Sequence, residues 1–244
     1  MPPNYDRCSP ALLSRIPTQR DTMYTPTHFE ETRTEVLHQL VRTHPLATLV
    51  TLSPDGLVAN YVPLLYRPSP AGLGALVGHV ARANLVWNAT NFEVPVLALF
   101  QGPQLYVSPS LYATKQEHGK VVPTWNYVVV QARGLLTVHD DAQWIRQQVT
   151  ELTQQQEAAR PQPWAVDDAP RAYTDTMVKA IVGIEITLMQ LSGKWKVSQN
   201  QPAINQASII AGLRAEGTPD AQTMAALGAS ASKRGQGGVG EIAR

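Results

Sequence analysis

Hydrophobic positions along this chain follow two periods. At Phe29, Val36, Leu37, Leu40 and Val41 they recur at helical spacing, and Thr27-His28-Phe29-Glu30 has the form of a capping box. The pattern predicts a helix over 28–43, stopped by His44-Pro45. A β-rich run follows at 46–52, then the turn Ser53-Pro54-Asp55-Gly56, in which proline presets one dihedral and glycine takes the positive-φ place. Residues 57–66 read as the second arm of that hairpin, and 73–80 as a strand ending at Gly78-His79. A short helix is predicted over 82–91. Strands are predicted at 95–101, 105–108 and 125–139, with Gly134 as a bulge position. A helix over 140–159 would take Asp140 or Asp141 as its N-cap. A short helix at 173–180, a strand at 183–198 and a helix at 204–213 complete the series. Hairpins outnumber parallel crossovers, so the pattern predicts an α+β fold, mainly antiparallel, on a small barrel with flanking helices.

The ends break the pattern. Residues 1–22 are rich in Pro, Ser and Arg and lack periodicity, which reads as a flexible N-terminal extension ahead of Met23. From Ala229 the chain is small, polar and glycine-rich, and 229–244 reads as a disordered tail. Residues 23–228 are then expected to form a single domain.

Composition narrows the classes. Of 244 residues, 43% are hydrophobic and only 16% charged, which excludes wholesale disorder. No apolar run is long enough to span a bilayer as a helix. The single cysteine, Cys8, excludes an internal disulfide and a cysteine-based zinc site. The first residues lack a secretory h-region, so the cytoplasmic compartment is expected. The net charge of +1 conceals an asymmetry: 23–228 holds 14 basic and 16 acidic residues, and the basic excess sits at the two ends. That body lacks the basic footprint of a nucleic-acid binder.

Four stretches carry candidate chemistry. Gly78-His79-Val80-Ala81-Arg82-Ala83-Asn84 sits where a strand should pass into a helix, and His79 and Arg82 there would suit a phosphate. Spacing alone favours the plainer reading of the same residues, a capped helix with an ordinary surface arginine. Val122-Pro123-Thr124-Trp125-Asn126-Tyr127 places two aromatics and an amide at the start of a long strand, fit to wall a planar ring or to fill a core. The loop Ser108-Pro109-Ser110-Leu111-Tyr112, with Lys115, could line a ligand or be a surface excursion. Gly193-Lys194-Trp195-Lys196-Val197-Ser198-Gln199-Asn200 ends the last strand with donors, fit for an anionic ligand or for protecting a sheet edge. The histidines show no H-x-x-x-H spacing and there is no G-x-S-x-G elbow, so no metal site and no serine hydrolase is expected.

In order, these motifs resemble the PaiB-like family, whose members are often labelled FMN-binding negative transcriptional regulators. The resemblance rests on MYTPTHF at 23–29, GHVARAN at 78–84, FQGPQLYVSPSLY at 100–112, VVPTWNY at 121–127 and GKWKVSQN at 193–200, and covers about 23–213. It implies an FMN-binding split β-barrel related to pyridoxamine-phosphate oxidase, assembled as a homodimer with the flavin in a groove at the interface. It places the phosphate at His79 and Arg82, with Asn84 close behind. The isoalloxazine would run along Asn60, Tyr61, Val62 and Pro63. Trp125, Asn126, Lys196, Ser198 and Gln199 would complete the site, partly from the other subunit. The chain departs from the family at Leu111 and Leu85, where Trp and Pro are common. It departs again near Gln131, where a histidine is common, and that change bears on a polar contact near the ligand.

Three functions follow. The first is flavin binding, with the cofactor carrying any oxidoreductase chemistry and no catalytic acid or base assigned. The second is transcriptional regulation, which the acidic body and the lack of a helix-turn-helix favour as indirect rather than through direct DNA contact. The third is a flavin-free interaction module, to which only Gln131 points.

Overall fold

The computed structural model describes residues 23–70 and 72–237. The N-terminal extension read at 1–22 and the last residues of the tail lie outside them. The elements are β1 (Glu30–Glu31), α1 (Thr34–Thr43), β2 (Leu46–Ser53), β3 (Gly56–Pro63), β4 (Leu65–Arg67), β5 (Ala75–Ala81), α2 (Val86–Ala89), β6 (Val96–Val107), α3 (Lys115–His118), β7 (Thr124–His139), α4 (Ala142–Glu157), α5 (Arg171–Lys179), β8 (Ile181–Lys196), α6 (Ala203–Glu216) and α7 (Pro219–Gly237).

The strands form one antiparallel sheet in the order β3-β2-β6-β7-β8-β5-β4, with β1 added to β8. The predicted Pro-Asp-Gly turn closes the β2–β3 hairpin, with Gly56 at φ 112°. The sheet curls until β3 meets β5. Gly78 makes this contact possible: a Cβ there would lie 2.7 Å from the Pro63 carbonyl oxygen. The core between the curled walls is built from Leu49, Leu64, Leu76, Phe100, Val130 and Ile186, with α1 closing one end through Leu37, Leu40 and Val41. On the other side, α4 and α5 cover β5 and β8, with Ile145, Val178 and Val182 buried there.

Several expectations are corrected. The helix predicted over 28–43 begins only at Thr34, because Glu30 and Glu31 are drawn into a ladder with Lys194 and Gly193. Thr27 caps nothing; it opens a single 3-10 turn over Thr27–Phe29. The two strands expected at 95–101 and 105–108 are one, β6, bent by a register shift between Gln101 and Gln104. Gly134 does sit at a bulge in the β7–β8 ladder. Residues 57–66 divide into β3 and β4 around the buried Leu64.

The largest correction concerns the C-terminus. The tail expected to be disordered from Ala229 is helical through Gly237. Its small residues let α7 pack closely on α6: Ala221, Met224, Ala225 and Ala231 are buried with Ile209 and Leu213, and the Ser232 hydroxyl donates to Gln206 Oε1. Alanine also has the best intrinsic helix propensity. Met224→Ala is therefore expected to lower the unfolding free energy by about 2–3 kcal/mol in urea titrations followed by circular dichroism.

Candidate functional site

Strand alternation sorts the sheet into two faces. One row of register partners reads Asn60–Leu49–Ala98–Ala132–Leu191, on the inner face. The next reads Tyr61–Thr48–Leu99–Gln131–Ser192, on the outer face. Thr48, Leu99, Gln131 and Ser192 are half-buried, and Tyr61 is 74% exposed. The neighbouring outer rows bring Ala59, Val50, Leu97, Arg133 and Gln190 on one side, and Gln101, Val129 and Lys194 on the other. Beyond the β6 bulge they continue as Gln104–Tyr127–Lys196 and Tyr106–Trp125.

This face is apolar and aromatic, with a one-sided charge. It carries Arg133, Lys194 and Lys196, and among the described residues none of the three is in an ion pair. The carboxylate in these rows is Glu30, at the β1 edge opposite Lys194. Lys194 Nζ donates to the Tyr24 carbonyl oxygen and lies 5.6 Å from the Tyr24 ring and 5.4 Å from the Tyr127 ring. Lys196 Nζ donates to Thr124 Oγ1 and, at 2.8 Å, to the Trp125 carbonyl oxygen. Burial pushes its ammonium below the ordinary lysine range; Tyr127 opposes the shift and the Lys194 charge adds to it. Trp125 and Tyr106 stand edge to face, half exposed, with Trp125 Nε1 donating to Gln104 Oε1.

The residues singled out in the sequence fall into three groups. Asn60 and Asn84 come together: Asn84 Nδ2 donates to Asn60 Oδ1 at 2.8 Å, while Asn84 Oδ1 accepts from the Val86 amide. A cleft of about 310 Å³ lies beside them, walled by Thr51, Val58, Asn60, Asn84 and Val86. Tyr61 and Pro63 are exposed on the outer side of β3, while Val62 is in the core.

The second group gathers at the far end of β7 and β8. Trp125 and Lys196 face outward. Asn126 and Ser198 are 1% and 3% exposed and are bonded to each other at 2.9 Å, which locks the strand end. Gln199 Oε1 accepts from the Val197 amide, and its Nε2 donates to the His28 carbonyl oxygen.

The third group is His79 and Arg82. No helix starts at Arg82, correcting that expectation; α2 is one turn, Val86–Ala89, because Asn84 turns back to meet β3. His79 faces α4, where its Nδ1 meets Oε1 of the fully buried Gln148 at 2.8 Å. The Arg82 guanidinium grips both Asp140 oxygens and the carbonyl oxygens of Lys179 and Ile181. That pairing pushes the guanidinium up and holds the Asp140 carboxyl below the usual range. Arg82 thus meets the start of β8 and Lys196 is its last residue, so within one chain the two stand at opposite ends of a 16-residue strand. The Ser108–Tyr112 loop serves packing: Tyr112 is buried, and the Ser208 hydroxyl of α6 donates to the Leu111 carbonyl oxygen.

Sequence reasoning passes over Arg133 and Gln148 and takes Asp140 only as a candidate helix cap. Arg133 was within reach, because alternation through 125–133 puts it on the face of Trp125 and Tyr127. Asp140 and Gln148 gain meaning only from the packing of α4.

The curled antiparallel sheet, its flanking helices and the outer face define the class: a split β-barrel of the FMN-binding type. The family described as "Putative FMN-binding domain" matches residues 23–190, and the chain belongs to that family, the PaiB-like group. It is 34% identical to an uncharacterized protein of Aspergillus fumigatus, over 80% of this chain and 92% of that one. It is 28% identical to the protease synthase and sporulation protein PAI 2 of Bacillus subtilis, over 84% and 96%. The fold is similar to the flavocytochrome Anf3 of Azotobacter vinelandii, with a TM-score of 0.53 at 10% identity over 73% of this chain and 74% of that one. Among the described residues no helix is long and apolar enough to cross a membrane.

Proposed function

We propose that this protein binds FMN at the interface of a homodimer formed through the outer sheet face. The observation that carries this reading is the charge of that face: Arg133, Lys196 and the largely buried Lys194 stand among aromatic and aliphatic residues, none of them in an ion pair among the described residues, on a body that is net negative. FMN needs one anion clamp and a flat wall with sparse polar edges.

The dimer accounts for the split between the groups. From Gln131 to Trp125 along β7 is about 20 Å at strand rise. A two-fold axis near Leu99 and Val129 would set the Trp125–Lys196 end of one copy over the Tyr61–Asn84 end of the other, giving two equivalent sites. In each, Tyr61 and Trp125 would flank the ring, Lys196 would contribute charge, and Arg82 and His79 would hold the phosphate. Asn126, Ser198 and Gln199 would act by fixing the strand end that carries Lys196. Bound FMN would supply one- and two-electron redox chemistry; the chain's own residues bind it, orient it and exclude water.

The test is a visible spectrum of the purified protein titrated with FMN. A shifted and resolved flavin absorption band is expected at micromolar FMN, with Lys196→Met weakening uptake roughly tenfold, as loss of a partly buried charged contact would. An unperturbed flavin spectrum across the titration would sink the reading.

A further inference from the structure

We infer that Asp140 is a specificity-determining residue of the flavin site, a carboxylate that competes with the cofactor's phosphate for Arg82. The inference rests on the FMN reading above.

Arg82 Nη1 donates to Asp140 Oδ2 at 2.9 Å and Nη2 to Oδ1 at 2.5 Å. This is the two-pronged geometry by which a guanidinium also grips a phosphate. Two backbone carbonyls set the plane of the fork: Nε donates to the Lys179 oxygen at 2.9 Å and Nη2 to the Ile181 oxygen at 3.2 Å. The guanidinium is therefore oriented from behind, and its front edge is given to one anion.

Asp140 has no second duty among the described contacts. The N-cap of α4 is Asp141, whose carboxylate accepts from the Trp144 amide at 2.7 Å. Helix capping thus leaves Asp140 free for Arg82. The pair is open to solvent, at 40% and 52% side-chain exposure, so an anion can approach it. Two residues on, Asn84 links this turn to Asn60 on β3. A phosphate arriving here must displace the carboxylate or share the guanidinium against it. Either way the phosphate's contribution to affinity is reduced, while a flavin lacking phosphate is unaffected.

The experiment measures dissociation constants of FMN and riboflavin for the full-length wild type and Asp140→Asn, by flavin fluorescence quenching. Asp140→Ser is measured beside it, and thermal melts establish that each variant is folded. The expected result is FMN bound about three- to fivefold more tightly by either folded variant, the scale of an exposed ion pair, with riboflavin unchanged. An FMN-to-riboflavin ratio that stays level or falls overturns the inference and leaves the flavin reading standing. A wild type that binds neither flavin overturns both.

Discussion

Gly134→Ala is expected to destabilise the protein by about 3 kcal/mol, among the largest effects of any single methyl group in this fold. At the bulge between β7 and β8 a Cβ on residue 134 would collide with the carbonyl oxygen and carbon of Thr187 and crowd Ile186. The Thr187 atoms are backbone, held in the longest ladder of the sheet, so they cannot rotate away as a side-chain end would. Gly228→Ala is the matched control. Its Cβ would come only to 3.4 Å from Ile210 Cγ1, in a helix where alanine is preferred, so stability should hold or rise slightly. Urea denaturation of both variants checks this, and equal midpoints would refute the steric account of the bulge.

Tyr61→Asp is expected to leave each chain folded yet convert the protein to monomers and remove most flavin binding. Tyr61 is 74% exposed in the single chain, so the fold loses little by the change. In the proposed dimer the same side chain is covered by the partner and by the ring of the cofactor. A desolvated carboxylate there should cost about 2 kcal/mol or more, near thirtyfold in affinity. Light scattering gives the oligomeric state and FMN titration the affinity. An intact dimer with undiminished flavin uptake would remove Tyr61 from the interface and move the site elsewhere.

These two residues show how differently fold and site could be read from the sequence. Gly134 was legible as a bulge because a glycine interrupts an otherwise continuous β pattern, a local signal. Tyr61 entered only through resemblance, since an exposed tyrosine on an edge strand looks like any other. Arg82 stands at an apparent helix start, and only the resemblance makes it a phosphate ligand. Its surroundings, Asp140 and the carbonyls of Lys179 and Ile181, come from residues about 60 to 100 positions away, and no local pattern announces them. The C-terminal helix is hidden in the sequence for a related reason: alanine, serine and glycine carry little hydrophobic contrast, and α6 supplies the surface that makes their burial worthwhile.

Residue order alone specifies the alternating strands, the Pro-Asp-Gly turn, the antiparallel class and the set of motifs that marks the family. These depend on short-range geometry: strand period, turn dihedrals and residue order. Which side chains share a face emerges from the folded sheet. It joined Tyr61, Gln131, Arg133, Lys194 and Lys196 on one face of the sheet and turned His79 and Arg82 toward α4 and α5. The reason is physical. Strand pairing brings residues more than a hundred positions apart into adjacent rows, and the charge of a surface belongs to those rows rather than to any segment of the chain.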